Sequence, residues 1–457
     1  MKRFQQLAIS NAQDLIFGKA PHPVVTRRGL VIGGGKVYPE INFTLPPMEI
    51  NDRTFPNILE MYKAIVEDIC KRALDLYVDG FVVEFETLME MTKNPHYAIE
   101  LTSAMNDILE KYYAQHGLKT ALRITPNDLR EFLRPPILRS GEFWEKMLET
   151  FAGCAKAGAE MLSIESTGGK EIHDAALLMC HIREVLFALT VLGVRDMTFL
   201  WEHIVEIASQ SGTFAGGDTA CGFGNTAMIL AERRHIPKVF SSVVRTISAV
   251  RSLVAYEQGA IGPGKDCGYE NVFLKAITGL PMSMEGKSAA CAHLSSVGNV
   301  ASAACDLWSN ESIENIKLLG GMAPTICFEQ LVYDCRLMNQ ALKTGTDSVL
   351  KSLFVQSDTG LDPQAFVLSP EMAIPIAKII VESPTPYLAG KNVALFTIER
   401  IREALQQNQL HIEEREIAYL NLMEEQLSGL PEEESRFIEL MLPSIDPAKC
   451  RIEEYGL

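Results

Sequence analysis

The sequence predicts an α/β fold, a (β/α)8 barrel of the TIM type, with an N-terminal extension and additional C-terminal helices. Three observations carry this expectation. Short apolar runs alternate with stretches of helical i, i+3, i+4 spacing, the pattern of a parallel sheet wrapped by helices. Eight such runs occur, the number a closed barrel requires. Many of them end in acid or thiol side chains, as strands do at the C-terminal rim where barrel sites are built. An open doubly wound sheet is the runner-up and would use six or seven of the runs.

Residues 1–56 are rich in Pro and Gly (KAPHPVV, GLVIGGGKVYPEI, TLPPMEINDRTFP) and read as an extension of loops and short hairpins. Gly33–Gly35 lacks dinucleotide-loop spacing and reads as a hairpin turn. The barrel is expected over 57–345. The helical stretch NILEMYKAIVEDICKRALDLY leads to the strand FVVEFET at 81–87. A helix near 95–115 leads to KTALRIT (119–125), one from about 141 to AEMLSIES (159–166), and one over 171–190 to MTFLWEH (197–203). GTFAGGDTAC (212–221), SLVAYE (252–257), PMSMEGK (281–287) and PTICFEQ (324–330) complete the set. Over 346–457 the strand signal stops; MAIPIAKIIVES, NVALFTIERIREALQQNQL and EREIAYLNLMEEQLS read as a helical layer, with EEESRF and RIEEYGL as surface or tail.

The 457 residues are 47% hydrophobic and 22% charged, enough for a large core. A net charge of -16 argues against nucleic acid and against an anionic membrane surface. MKRFQQLAISNAQDLIF has no long apolar core of a signal peptide, and no apolar run approaches the ~20 residues of a membrane span. A cytoplasmic location is expected. The ten cysteines include no C-x-x-C pair, and in a reducing compartment most should be buried as small hydrophobes.

The expected strand ends carry Glu86, Glu165, Glu202 with His203, Asp218 with Cys221, Glu257, Glu285 and Glu329. Singly, each would be a helix cap or an ion-pair member; together they suggest an acid-rich funnel. A catalytic zinc takes about three protein ligands and one open position. Glu165, Cys221 and Cys267 can meet there from neighbouring units, although no regular ligand spacing joins them. Gly222, Gly224, Gly262, Gly264 and Gly268 set both thiols in tight exposed turns, where a merely packed thiol gains little. Cys291 and His293 form a competing ligand pair, and His203 is a further candidate. GAIGPGKD (259–266) nearly spells a phosphate-binding loop, but Asp266 stands where a hydroxyl should meet magnesium and Pro263 lacks a backbone donor.

Longer motifs sharpen this reading. GDTAC followed by NTAM, SLVAYE-x-GA-x-GPGKDCGYEN followed by KAITG-x-PM-x-MEGK, SxGGKE near 166–171, CAH at 291–293, WSNES at 308–312 and YDCxLMN at 333–339 resemble the zinc-binding subunit of the methanol–corrinoid protein methyltransferases. The resemblance runs from NAQDLIFG to EEYGL. It implies a (β/α)8 barrel with one zinc per chain, whose glutamate and two cysteines fall on Glu165, Cys221 and Cys267. It also implies transfer of the methyl group of methanol to the cobalt of a corrinoid carried by a separate partner protein. A homo-oligomer within a hetero-oligomeric complex, and a place in one-carbon metabolism feeding methane or acetate, follow from the same resemblance. One departure is GFGN after Cys221, richer in glycine than the family pattern.

Zinc with two thiolates and a carboxylate carries a net negative charge and should lower an alcohol's pKa less than a histidine-ligated ion does. Methanol is then expected to stay protonated, with a rim acid keeping or supplying the proton: Asp218 and Glu86 first, Glu202 and Glu257 next. The D-x-H-x-x-G signature of histidine-on cobalamin domains is absent, so the corrinoid must come from the partner. Two alternatives remain. A zinc-dependent barrel hydrolase would favour histidine ligands, often H-x-H, which this chain lacks. A non-catalytic scaffold with structural zinc would need a fourth ligand, Cys291 or His293.

Overall fold

The computed structural model describes residues 4–44, 48–313, 317–318 and 321–457. Among these, no helix is long and apolar enough to cross a membrane. The segment 1–56 contains an antiparallel hairpin, β1 (Lys19–Val25) and β2 (Val31–Gly34). Its turn runs from Thr26 to Leu30, where the Thr26 N–H donates to the Leu30 carbonyl at 2.9 Å. Gly33 is therefore not in the turn: it lies in β2 with φ of +82°, and a Cβ there would come within 2.7 Å of Ala20.

Seven strands form one parallel sheet: β3 (Tyr38–Thr44), β4 (Gly80–Glu86), β5 (Lys119–Thr125), β6 (Met161–Ile164), β7 (Phe214–Asp218), β8 (Ser283–Glu285) and β9 (Leu307–Ile313). Their spatial order is β7-β6-β5-β4-β3-β9-β8. The gap between β7 and β8 is filled by residues 261–264. The Ile261 N–H donates to the Ala215 carbonyl at 2.9 Å, the Gly264 N–H to Pro281 at 3.0 Å, and the Ser283 N–H to Gly264 at 3.1 Å. This stave closes the ring in sequential order, as an eight-fold barrel requires. Two glycines permit the close approach: a Cβ on Gly217 would lie 2.5 Å from the Tyr256 hydroxyl and 3.3 Å from the Gly264 Cα. The near-phosphate loop is thus part of the barrel wall.

Inward-facing side chains follow the two-residue period of each strand. At the N-terminal end, Tyr38, Val82, Ala121, Met161 and Leu307 form a small buried apolar layer, plugged by Leu30 and Ile32 of the hairpin. The next layer is polar: Glu40, Glu84, Arg123, Ser163 and Ser309, all fully buried. Arg123 Nε donates to Glu40 at 2.7 Å; Nη1 donates to Ser163 Oγ at 2.8 Å and to the Pro263 carbonyl at 2.9 Å. The interior thereby pins the closing stave.

Three expected strands are helical. MTFLWEH lies in the helix Gly193–Ser211, which buries Met197, Leu200, Trp201 and Ile204, a period of 3.6 rather than 2. SLVAYE lies in the helix Lys238–Gln258, where burial on nearly every face hides any periodicity. PTICFEQ lies in the helix Ala323–Thr344, with Pro324 in its first turn. Two barrel strands lie where none was expected, β3 inside the segment 1–56 and β9 at 307–313. Beyond 346 the chain is helical, and the helix Pro386–Gln406 packs along Lys238–Gln258. One continuous apolar core reaches from Ile9 to Tyr455. RIEEYGL is not a loose tail: Tyr455 is buried and its hydroxyl accepts the Gly169 N–H at 2.8 Å.

Candidate metal centre

Glu165, Cys221 and Cys267 follow three adjacent staves of the barrel at their C-terminal ends. Glu165 is the residue after β6. Cys221 begins a wide turn, Cys221–Asn225, that runs into the helix Thr226–Glu232. Cys267 follows the closing stave. The three ligand atoms lie within 4.8 Å of one another, with Cys267 Sγ 2.7 Å from Glu165 Oε1. That spread is compatible with a single ion bonded at roughly 2.0–2.3 Å, and two thiols with a carboxylate suit zinc. All ten cysteines are free thiols. Burial and the neighbouring Cys221 thiol push Cys267 well above the ordinary thiol range.

Each ligand loop is held from outside. Ser166 donates through N–H and Oγ to Asp218, at 3.1 and 2.6 Å. Thr167 donates through N–H and Oγ1 to Asp128, both at 2.9 Å. Thr219 Oγ1 sits 3.2 Å from Cys267 Sγ, and Glu270 accepts the Ala220 N–H at 2.6 Å.

The four candidate acids part company. Glu86 ends β4 in a cavity of about 160 Å³ that also holds Thr125, Asn127, Glu165, Ser166 and Lys170. Lys265 Nζ, at 2.6 Å, and Asn42 Nδ2, at 3.0 Å, both donate to its Oε1; burial raises its pKa. Asp218 is fully buried and saturated, accepting from Ser166, Thr219 and Trp201 Nε1 at 2.9 Å. Burial pushes its carboxyl up to about 6. Glu202 is exposed in the middle of the helix Gly193–Ser211 and not at a strand end. Glu257 is the penultimate residue of the helix Lys238–Gln258, just before the chain enters the closing stave. It therefore lies at the N-terminal end of the barrel, opposite the site. Both acids were expected at strand ends, and both lie on helices instead.

His203 also lies on a helix, its Nδ1 2.9 Å from the Phe199 carbonyl and its ring packed on Trp144 and Phe199. Cys291 is exposed, and His293 Nδ1 faces Glu285 at 3.3 Å. Among the described residues, neither joins a group of potential metal ligands. Glu329, placed on a strand by sequence, is in a helix and pairs with Arg72 at 3.4 Å.

Sequence reasoning missed Lys265. It is wholly buried, with Nζ 3.0 Å from Glu165 Oε1, 3.4 Å from Cys267 Sγ and 2.8 Å from Asp266. The available signal was its place in GPGKDC, where a lysine beside a candidate ligand needs acids around it.

A family model for the methanol-cobalamin methyltransferase B subunit matches residues 1–456. The methanol–corrinoid protein co-methyltransferase of Methanosarcina barkeri (strain Fusaro / DSM 804) is 39% identical over 442 residues, 96% of this chain and 95% of that one. A chain in the crystal structure of the methanol:cobalamin methyltransferase complex MtaBC from Methanosarcina barkeri superposes with a TM-score of 0.95 at 37% identity, with 100% of both chains covered. The chain belongs to the methanol-cobalamin methyltransferase B subunit family.

Proposed function

We propose that this chain takes the methyl group from methanol and delivers it to the corrinoid of a separate protein, using a zinc ion held by Glu165, Cys221 and Cys267 and a proton held by Glu86. Methanol:corrinoid protein methyl transfer is the activity of its family. The convergence of one carboxylate and two thiols at the barrel mouth carries the zinc part of the reading. When bound, zinc supplies a Lewis acid for the alcohol oxygen, which would otherwise leave as hydroxide.

The chain's own residues account for the rest. Glu86 shares the cavity with Glu165, and its Oε1 is engaged by Lys265 and Asn42. Its Oε2 can therefore carry the proton that turns departing hydroxide into water, and burial favours that protonated form. Both Asp218 oxygens accept from Ser166, and from Thr219 or Trp201, so its part is to position Ser166 next to Glu165. The small polar cavity suits a one-carbon alcohol.

The same reading makes the chain a homo-oligomer that binds the corrinoid protein in a larger cytoplasmic complex. Free thiols throughout and the lack of a spanning helix among the described residues support the location. Sedimentation of the chain alone and with the corrinoid protein tests the assembly.

The activity test mixes the zinc-loaded chain, methanol and the cognate corrinoid protein in its reduced cobalt state and follows cobalt methylation by absorbance. Methylation should require methanol, stop on chelation and return with zinc. Undiminished turnover by a C221A/C267A variant would remove the metal from the reaction.

A further inference from the structure

Next to the thiol-bearing group lies a second set of converging ligands. The carboxylates of Glu84, Glu86 and Asp266 come within 4.8 Å of one another. Three such oxygens would suit a hard divalent cation. The set is already filled. Lys265 Nζ stands 2.6 Å from Glu86, 2.8 Å from Asp266 and 3.3 Å from Glu84. The same nitrogen reaches Glu165 at 3.0 Å and Cys267 Sγ at 3.4 Å, so the two ligand sets share a wall. Adjacent sets of this kind are how two-metal centres are built.

We infer that Lys265 serves as a built-in cation: it occupies the carboxylate set, denies that set to a second divalent ion and so keeps the centre mononuclear. The geometry is suited to the task. Lys265 sits at the end of the closing stave, and Asn271 Nδ2 donates to its main-chain carbonyl at 2.5 Å. Ser309 Oγ donates to Asp266 at 2.6 Å and Thr125 Oγ1 to Glu84 at 2.6 Å, so the acids are held around the ammonium. The ammonium's three donors go to Glu86, Asp266 and Cys267 Sγ, and its charge also faces Glu165 at 3.0 Å and Glu84 at 3.3 Å, in a space a divalent ion would otherwise fill. Lys265 is a positioning residue in this account, acting through Glu86 and Glu165. The word mononuclear rests on the zinc reading above; the filling of the carboxylate set does not.

The test uses the full chain carrying its zinc, with Mn2+ as the probe. Electron paramagnetic resonance should detect no Mn2+ bound at this set in the unaltered chain. K265A should take up about one Mn2+ per chain, and adding E84Q should abolish the signal. Mn2+ bound by the unaltered chain and lost in E84Q would overturn the proposal, and so would a folded K265A that binds none. If K265A does not fold unaided, its melting is followed with and without Mn2+. Recovery by Mn2+ supports the proposal, because any cation in that place should restore the acids; failure to recover counts against it. Zinc content measured in the same samples reports separately on the zinc reading.

Discussion

Asn225 ties the two cysteine loops together: its Nδ2 donates to the Cys267 carbonyl at 2.8 Å and lies 3.6 Å from Cys221 Sγ. Arg245 donates to Asn225 Oδ1 at 2.5 Å and to Glu270 at 2.9 Å, which fixes the direction of the amide. Residues that orient metal ligands typically affect affinity by about 10–100-fold. N225L keeps the size and removes the bonds, so zinc affinity should fall by that order. Chelator competition measures it, and an unchanged affinity would show that the loops hold themselves.

Arg123 should matter to the barrel rather than to the chemistry. It neutralises the buried Glu40 and donates to the carbonyls of Pro263 and Gly264, at 2.9 and 3.3 Å. R123M strands a buried charge and frees the closing stave, a loss of about 3–5 kcal/mol. The double variant E40Q/R123M should recover part of it. Urea unfolding followed by tryptophan fluorescence reads both; equal losses in the two would mean that the stave, not the charge, dominates.

Why some elements were legible and others not is visible in these same residues. FVVEFET and KTALRIT announce themselves because apolar residues stand on both faces, Val82 and Val83 in one and Ala121 and Leu122 in the other, whereas YPEINFT turns Glu40 and Asn42 into the polar interior and LWSNESI is polar on both faces, with Ser309 turned inward and Asn310 outward beside Ile41. A barrel with a polar middle layer hides its strands from hydrophobicity. The opposite failure produced SLVAYE, which is apolar because the helix Lys238–Gln258 is covered on nearly every face. Cysteines in glycine turns could be picked out locally, and motif resemblance supplied their grouping with Glu165. The role of Lys265 could not be read, because Glu84 and Glu86 stand some 180 positions away in sequence and join it only when the ring closes.

Glu86 and Asp218 should separate cleanly on substitution to their amides. E86Q keeps shape and removes a proton carrier, so cobalt methylation should drop by about 10²–10⁴-fold with folding intact. D218N turns an amide NH2 toward one pair of donors, Ser166 Oγ with Trp201 Nε1 or the N–H groups of Ser166 and Thr219, which costs about 1–3 kcal/mol. The folded carboxyl of Asp218 titrates at about 6, above the ~3.9 of an unfolded aspartate. The folded chain thus binds the extra proton, and this residue's contribution to stability is greatest at low pH and declines as pH rises through 6. The melting temperature of the unaltered chain should therefore fall relative to that of D218N as pH rises from 4 to about 7, narrowing the gap between them. A silent E86Q would return the proton to another group.

Zinc uptake should release protons. Cys267 is pushed well above the ordinary thiol range by burial and the adjacent Cys221, and Cys221 itself, despite its hydrogen bond to Cys267, is raised to about 11 by burial and by Glu165. Both sulfurs are therefore thiols in the metal-free chain at neutral pH, and both must become thiolates to bind zinc. Each bound ion should displace about two protons, and apparent affinity should rise on the order of 100-fold per pH unit between pH 6 and about 8. Calorimetry in buffers of different ionisation enthalpy gives the proton count directly. C221A should halve it, since one thiol remains. A count near zero in the unaltered chain would mean that the thiols are already ionised, and Lys265, 3.4 Å from Cys267, would be the cause.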